Sequence, residues 1–243
     1  MVELYNDQRE GLVTELSALF KGLKEKVIDD VVAEAKKQAH IETLRERRDR
    51  LTKLFVNQME ILESRDCPRT ILKHFQDKRV EVTSKASMMV IPEGHIPFVP
   101  VIPRLYMGIC GLMLMVRDGI EMGYTHLNPD KIIDTLPTPE GLYFIYDVED
   151  GRDVFGESLE KAEKLMENQN RTCLTIDEGI AICIFTDMLF NHHSHMNCMG
   201  SRHKDDDLVA AIYLTENGPE LVWNNFADLR VKPSFASCRS RET

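Results

Sequence analysis

Five side chains of the kind that hold zinc fall between positions 192 and 203: His192, His193, His195, Cys198 and His203. Imidazole and thiolate are the donors of tetrahedral zinc sites, so this segment is a candidate metal centre with His193, His195, Cys198 and His203 as ligands. The spacing is not that of a zinc finger, and a histidine-rich turn after a helix C-terminus accounts for the same residues. The second candidate is a nucleophilic thiol. Cys238 stands between Ser237 and Arg239, with Arg241 beyond, and a neighbouring guanidinium raises the thiolate fraction. Arg202 facing that thiol would complete an anion pocket. Set against this is a small buried residue in a closing strand, its arginines bonded to carboxylates.

Other chemistry is poorly supported. Gly200-Ser201-Arg202 lacks the glycine-flanked elbow of a serine hydrolase, and no glycine-rich loop joins a strand to a helix, so nucleotide binding has no motif. Asp205 to Asp207 read as turn residues or a weak divalent site. The methionines between 107 and 115 read as core filling. No cofactor is expected, zinc excepted.

The elements that would position these residues are legible in outline. Thr175-Ile176-Asp177-Glu178 is a capping box that starts a helix at Ile176 and accounts for its paired carboxylates. After the histidines, Met196 to Ser201 alternate as a strand, Leu208 to Leu214 is an apolar strand, and Glu216-Asn217-Gly218-Pro219 turns the chain into an antiparallel strand over 220–226. A last strand, Ser234 to Cys238, closes the chain. Upstream, the spacing predicts strands at 79–83 and 88–91, a helix over 105–117 deep in the core, a short helix over 129–136, a strand at 142–148 and a charged helix at 158–168. Prolines 92, 97, 100 and 103 confine the segment between them to an edge strand or ordered loop.

Residues 7–63 lack proline and carry a helical apolar stripe from Leu12 to Ala39. Ile41, Leu44, Arg48, Leu51, Phe55, Gln58 and Leu62 then alternate steps of three and four, a heptad seam with two polar interruptions. Such an arm folds into a hairpin on its own domain or pairs with a second copy as a coiled coil. The expected organisation is a helical arm over 1–63 and an α+β domain over 64–243, with a mostly antiparallel sheet packed on helices.

A net charge of -10 and a pI near 5.3 oppose nonspecific nucleic-acid binding and attraction to an anionic membrane surface. The longest apolar run is far below the roughly 20 residues of a membrane span. Six cysteines without close pairing, and no basic-then-apolar N-terminus, point to free thiols in the cytoplasm.

The order of Gln58 to Phe75, Ile96-Pro97-Phe98-Val99-Pro100-Val101-Ile102-Pro103, Leu174 to Ile180, Gly200-Ser201-Arg202, the Trp223 strand and Ser237 to Arg241 resembles an uncharacterised microbial family catalogued as a domain of unknown function. The resemblance spans about residues 55–241 and implies a shared fold without an activity. Beside it, the residues favour a noncatalytic cytoplasmic binding module that self-associates through its N-terminal helices. The competing reading is a hydrolase using the histidine loop or Cys238 with Arg202.

Overall fold

The computed structural model of the chain describes residues 21, 22, 31, 43–152, 154, 156, 157, 159–187, 189, 195–225 and 235–243. The chain divides into two compact units, Met1–Arg50 and Leu51–Thr243. In the first, the described residues are helical and almost all exposed, and the rest of the expected stripe from Leu12 to Ile41 lies outside the described residues. The second unit begins at Leu51, ahead of the boundary expected at 64, because helix α1 (residues 51–64) belongs to its core. Phe55 sits 6.1 Å from Phe98 and 6.2 Å from Phe144, Leu62 is fully buried, and Gln58 Nε2 donates to Phe98 O at 2.9 Å. From Leu51 onward, then, the heptad seam packs on its own domain, and its polar interruption at Gln58 serves a strand carbonyl.

Helices α2 (Arg69–Asp77) and α3 (Arg79–Met88) follow. The strands expected at 79–83 and 88–91 are corrected here: Val82 and Ala86 bury at a four-residue spacing, and Thr83 Oγ1 donates back to Arg79 O, 2.8 Å away. That local bond suits a threonine in a helix and overrides its strand preference. Strand β1 (Ile96–Val101) lies at the edge of a three-stranded sheet, order β1-β6-β12, with β6 Tyr143–Val148 in the centre and β12 Ser240–Glu242 beyond. An edge is where its prolines, lacking N–H groups, can be tolerated.

Helix α4 (Arg104–Met113) is shorter than expected and breaks at Gly108, whose φ of 68° and ψ of 159° are not helical. Small strands β2 (Arg117–Asp118), β3 (Glu121–Met122) and β4 (Tyr124–Thr125) follow. The helix expected over 129–136 is a single 3₁₀ turn at Pro129–Lys131, after which the β-branched pair Ile132-Ile133 enters strand β5 (Ile132–Asp134). After α5 (Leu159–Asn168), β7 (Thr172–Cys173) and α6 (Ile176–Phe185), the strands β8 (His195–His203), β9 (Leu208–Thr215) and β10 (Gly218–Asn225) form a five-stranded sheet in the order β4-β10-β9-β8-β5. Only its β10–β4 pairing is parallel. The expected last strand is β11 (Ser237–Cys238), paired with β7, and a further, unexpected strand, β12, pairs with β6. No described helix is long and apolar enough to cross a membrane.

Helix α6 organises these parts. Every residue from Ile176 to Ile184 is buried, and the helix contacts β8 and β9 of the larger sheet, β1 of the smaller one and α4. A helix apolar nearly all round suits such a central place. Contact with β8 is so close that a Cβ at Gly179 would stand 2.3 Å from Cys198 Sγ. Gly179→Ala is therefore expected to lower stability in urea denaturation by about 1–3 kcal/mol, from overpacking. Cys198→Ala in the same chain should recover part of the loss, making the double variant more stable than the two single effects sum to; strict additivity would refute the contact.

Candidate functional site

The first turn of α6 carries adjacent carboxylates, Asp177 and Glu178, whose side chains diverge by about 100° around the helix. Glu178 turns into the protein and is saturated. It accepts from Thr175 N (2.8 Å), as the capping box requires, from Tyr143 OH (3.0 Å), and from Arg241 Nε (2.6 Å) and Nη2 (2.9 Å). Arg241 also donates to Cys173 O at 2.8 Å. Burial and the Glu178 charge hold the Tyr143 phenol well above its ordinary value.

Asp177 turns the other way. Its Oδ2 accepts from Arg104 N and Nη1, each at 3.1 Å, while Arg104 Nη2 donates to Asp134 Oδ2 at 2.9 Å. Ser201 Oγ donates to Asp134 Oδ1 (2.6 Å) and accepts from Ile176 N (2.8 Å), fixing β5 and β8 to the helix start. Asp177 is only 7% exposed, and its Oδ1 has no hydrogen-bond partner among the described residues. This carboxylate lines a cleft of about 780 Å³ whose walls include Pro103, Tyr106, Ile109 and Pro139, with Asp134 and Glu140 as further acids. A volume of that order, apolar walls and few polar anchors are features of small-molecule sites.

Burial pushes the Asp177 carboxyl up to about 6, against the charge and hydrogen bonds of Arg104, with Asp134 adding to the rise. The arrangement leaves a carboxyl in the cleft wall that exchanges its proton near pH 6.

The structure scatters the residues singled out by type and spacing. Cys238 is fully buried beside Thr172, and burial pushes its thiol up to about 12, so it carries negligible thiolate at neutral pH. Arg241 is engaged with Glu178. Arg202 lines a separate small cavity of about 230 Å³ with Thr172 and Cys173. On β8, His195 stacks on Tyr213 at 5.3 Å, whereas Cys198, three residues on and so on the other face, packs against Gly179. His203, at the strand's far end, accepts from Asp205 N and Asp206 N through Nδ1 and meets Trp223 edge-on at 5.0 Å. His195, Cys198 and His203 thus do not converge. Among the described residues no group of three or more His, Cys, Asp or Glu is arranged to hold a metal; His192 and His193 lie outside them.

The residues that do converge are Arg104, Asp134 and Asp177. Capping fully explains an aspartate at the second position of a helix, so Asp177 sends no further signal, and its partner Arg104 lies 73 residues away. The segments 174–180, 200–202 and 237–241, dispersed along the chain, meet around the start of α6 through Ser201 and Arg241, and Arg104, directly after the segment 96–103, joins them.

A carboxyl whose folded pKa lies near 6, above its ordinary 3.8, stabilises the fold in acid and loses that contribution as pH rises through about 6. Asp177→Asn, which keeps an oxygen for Arg104, is therefore expected to be more stable than the parent at neutral pH. Its advantage in urea denaturation should widen by about 1 kcal/mol between pH 5 and pH 8, and a constant or shrinking difference would contradict the burial argument.

No curated protein and no solved structure matches the chain. A family model does, over residues 50–224, which takes in α1, the cleft, the five-stranded sheet up to Asn224 and the three-stranded sheet except β12. The chain belongs to that family, a family of unknown function, DUF5701.

Proposed function

We propose that this chain is a noncatalytic binding module whose compact domain takes a small, largely apolar molecule in the cleft at the start of α6. The observation that carries the reading is the mostly apolar cleft of about 780 Å³, on whose wall Arg104, Asp134 and Asp177 are fixed to one another. Hydrolase readings have less support, because the described thiol candidate is buried and the described imidazoles are engaged in packing and backbone hydrogen bonds. The six cysteines form no disulfide, which suits a reducing cytoplasm.

N-phenyl-1-naphthylamine, a neutral dye that brightens in apolar surroundings, tests the cleft. It should bind saturably with one site per chain, and Gly111→Trp, which plants an indole in the cleft wall, should weaken it at least about tenfold, or about 1.4 kcal/mol. Unsaturable binding, or binding untouched by that substitution, would sink the reading.

Self-association through the N-terminal helices is the second part of the proposal. Leu44, in the helical stretch 43–50, is 42% exposed, whereas the seam residues from Leu51 onward are used within the compact domain. A partner copy would therefore bind residues 1–50. Light scattering on the eluting full chain should give a multiple of 27.9 kDa that falls toward the single mass in Leu44→Glu; a monomer at high micromolar concentration excludes it.

A further inference from the structure

We infer that Arg65 and Arg117, neither of which lines the cleft, form a second site that takes a small dianion of the phosphate type. On a chain with a net charge of -10, carboxylates are plentiful, and Arg104, Arg152, Arg171, Arg239 and Arg241 each pair with one. Arg65 and Arg117 do not. Arg65, just past the end of α1, donates from Nη1 to the Met115 carbonyl, which brings it beside the start of β2, where Arg117 stands two residues on. The Arg117 side chain makes no hydrogen bond and no ion pair among the described residues.

Two neighbouring guanidiniums repel each other, and both of these residues are partly withdrawn from water. Burial and the Arg117 charge hold the Arg65 guanidinium below its ordinary value, and no carboxylate acts the other way. The acids beside Arg117 in the chain are turned aside. In the β2–β3 hairpin Arg117 is opposite Met122 and Asp118 is opposite Glu121, so strand alternation sends both acids to the face away from Arg117. Glu121 lies against Gly218 on that side. A cation at the end of α1 suits the helix dipole and holds a carbonyl, which accounts for Arg65. No comparable contact accounts for Arg117.

The groups left open define the ligand. Nε and Nη2 of Arg65 and both terminal nitrogens of Arg117 have no acceptor and reach the surface; of the unbonded nitrogens only Arg117 Nε is enclosed. A guanidinium only donates, so the occupant accepts, and two such groups together call for two negative charges. A carboxylate matches one fork and one charge. A phosphate or phosphate monoester, with three or more acceptor oxygens and a charge of about -1.5 to -2 at neutral pH, matches both. The acidity of the chain opposes a phosphate presented on an anionic bilayer and favours a soluble one.

Isothermal titration of the full chain at pH 8 and constant ionic strength, with inorganic phosphate and with acetate, tests the site. Phosphate should bind saturably, one per chain, with a Kd below about 1 mM, and acetate at least about tenfold more weakly. Arg117→Gln should weaken phosphate at least about tenfold, while Arg117→Lys, which keeps the charge without the fork, should fall between. Because Arg117→Gln also removes the repulsion, the phosphate-free variant should be at least as stable as the parent in urea. No saturable heat from phosphate, acetate binding as tightly, or phosphate binding untouched by Arg117→Gln overturns the site. So does a variant less stable than the parent without phosphate, since Arg117 would then be a structural residue. Phosphatidylcholine vesicles carrying phosphatidic acid should not sediment the chain; sedimentation abolished by Arg117→Gln would overturn the soluble source and assign the phosphoryl group to a lipid.

Discussion

The buried pair between Glu178 and Arg241 is the interaction on which the arrangement depends. Glu178 sits in the first turn of a helix closed in on every side, and Arg241 reaches it from β12, a strand of the other sheet. An ion pair without solvent is weak evidence of stability in itself, because desolvation offsets attraction. What makes this one tolerable is complete satisfaction: Tyr143, the Thr175 amide and the Cys173 carbonyl take up the remaining valences. Removing Arg241 would strand the Glu178 charge in the core, a loss of about 3–5 kcal/mol. The pair therefore acts as a condition on the topology, since α6 can occupy the centre only when β12 is docked on β6.

The neighbouring carboxylate is handled differently. Asp177 and Glu178 share a helix turn and the same favourable dipole, yet one is saturated and the other keeps an unmatched oxygen. Arg104 must serve two acids, Asp177 and Asp134, and cannot neutralise both. Burial without full compensation raises the Asp177 carboxyl to about 6, whereas Glu178 is enclosed by matched donors.

Much of the architecture was legible because it rests on local rules. Thr175 to Glu178 announced the start of α6, the prolines of β1 announced an edge, and the turn at Glu216-Asn217 announced the β9–β10 hairpin. The failures share a cause. Val80, Val82 and Thr83 have strand-forming side chains but are helical, since burial of Val82 and Ala86 decides, and Ile132-Ile133 left a helical context to pair with β8. The site was the least legible part. Its residues are one each from α4, β5 and α6, ordinary types at uninformative spacings, joined only by the fold. Reactive types drew attention to Cys238 and the histidines, but burial and pairing, which spacing cannot report, decide what such residues do.

The cleft itself follows from a conflict resolved in α4. Ile109, Leu112 and Met113 must bury, while Arg104 must reach Asp134 and Asp177. One uninterrupted helix fixes the angle between those two sets, and the break at Gly108 releases it. With φ at 68°, in the region glycine enters without a side-chain clash, the segment before the break follows Arg104 to the carboxylates and the segment after it follows the core. The walls consequently come from both halves, Leu105 and Tyr106 from one and Ile109 from the other. The backbone step that lets a single arginine hold two acids is thus also what opens an apolar space beside them, so the charged anchor and its apolar surroundings have one structural origin.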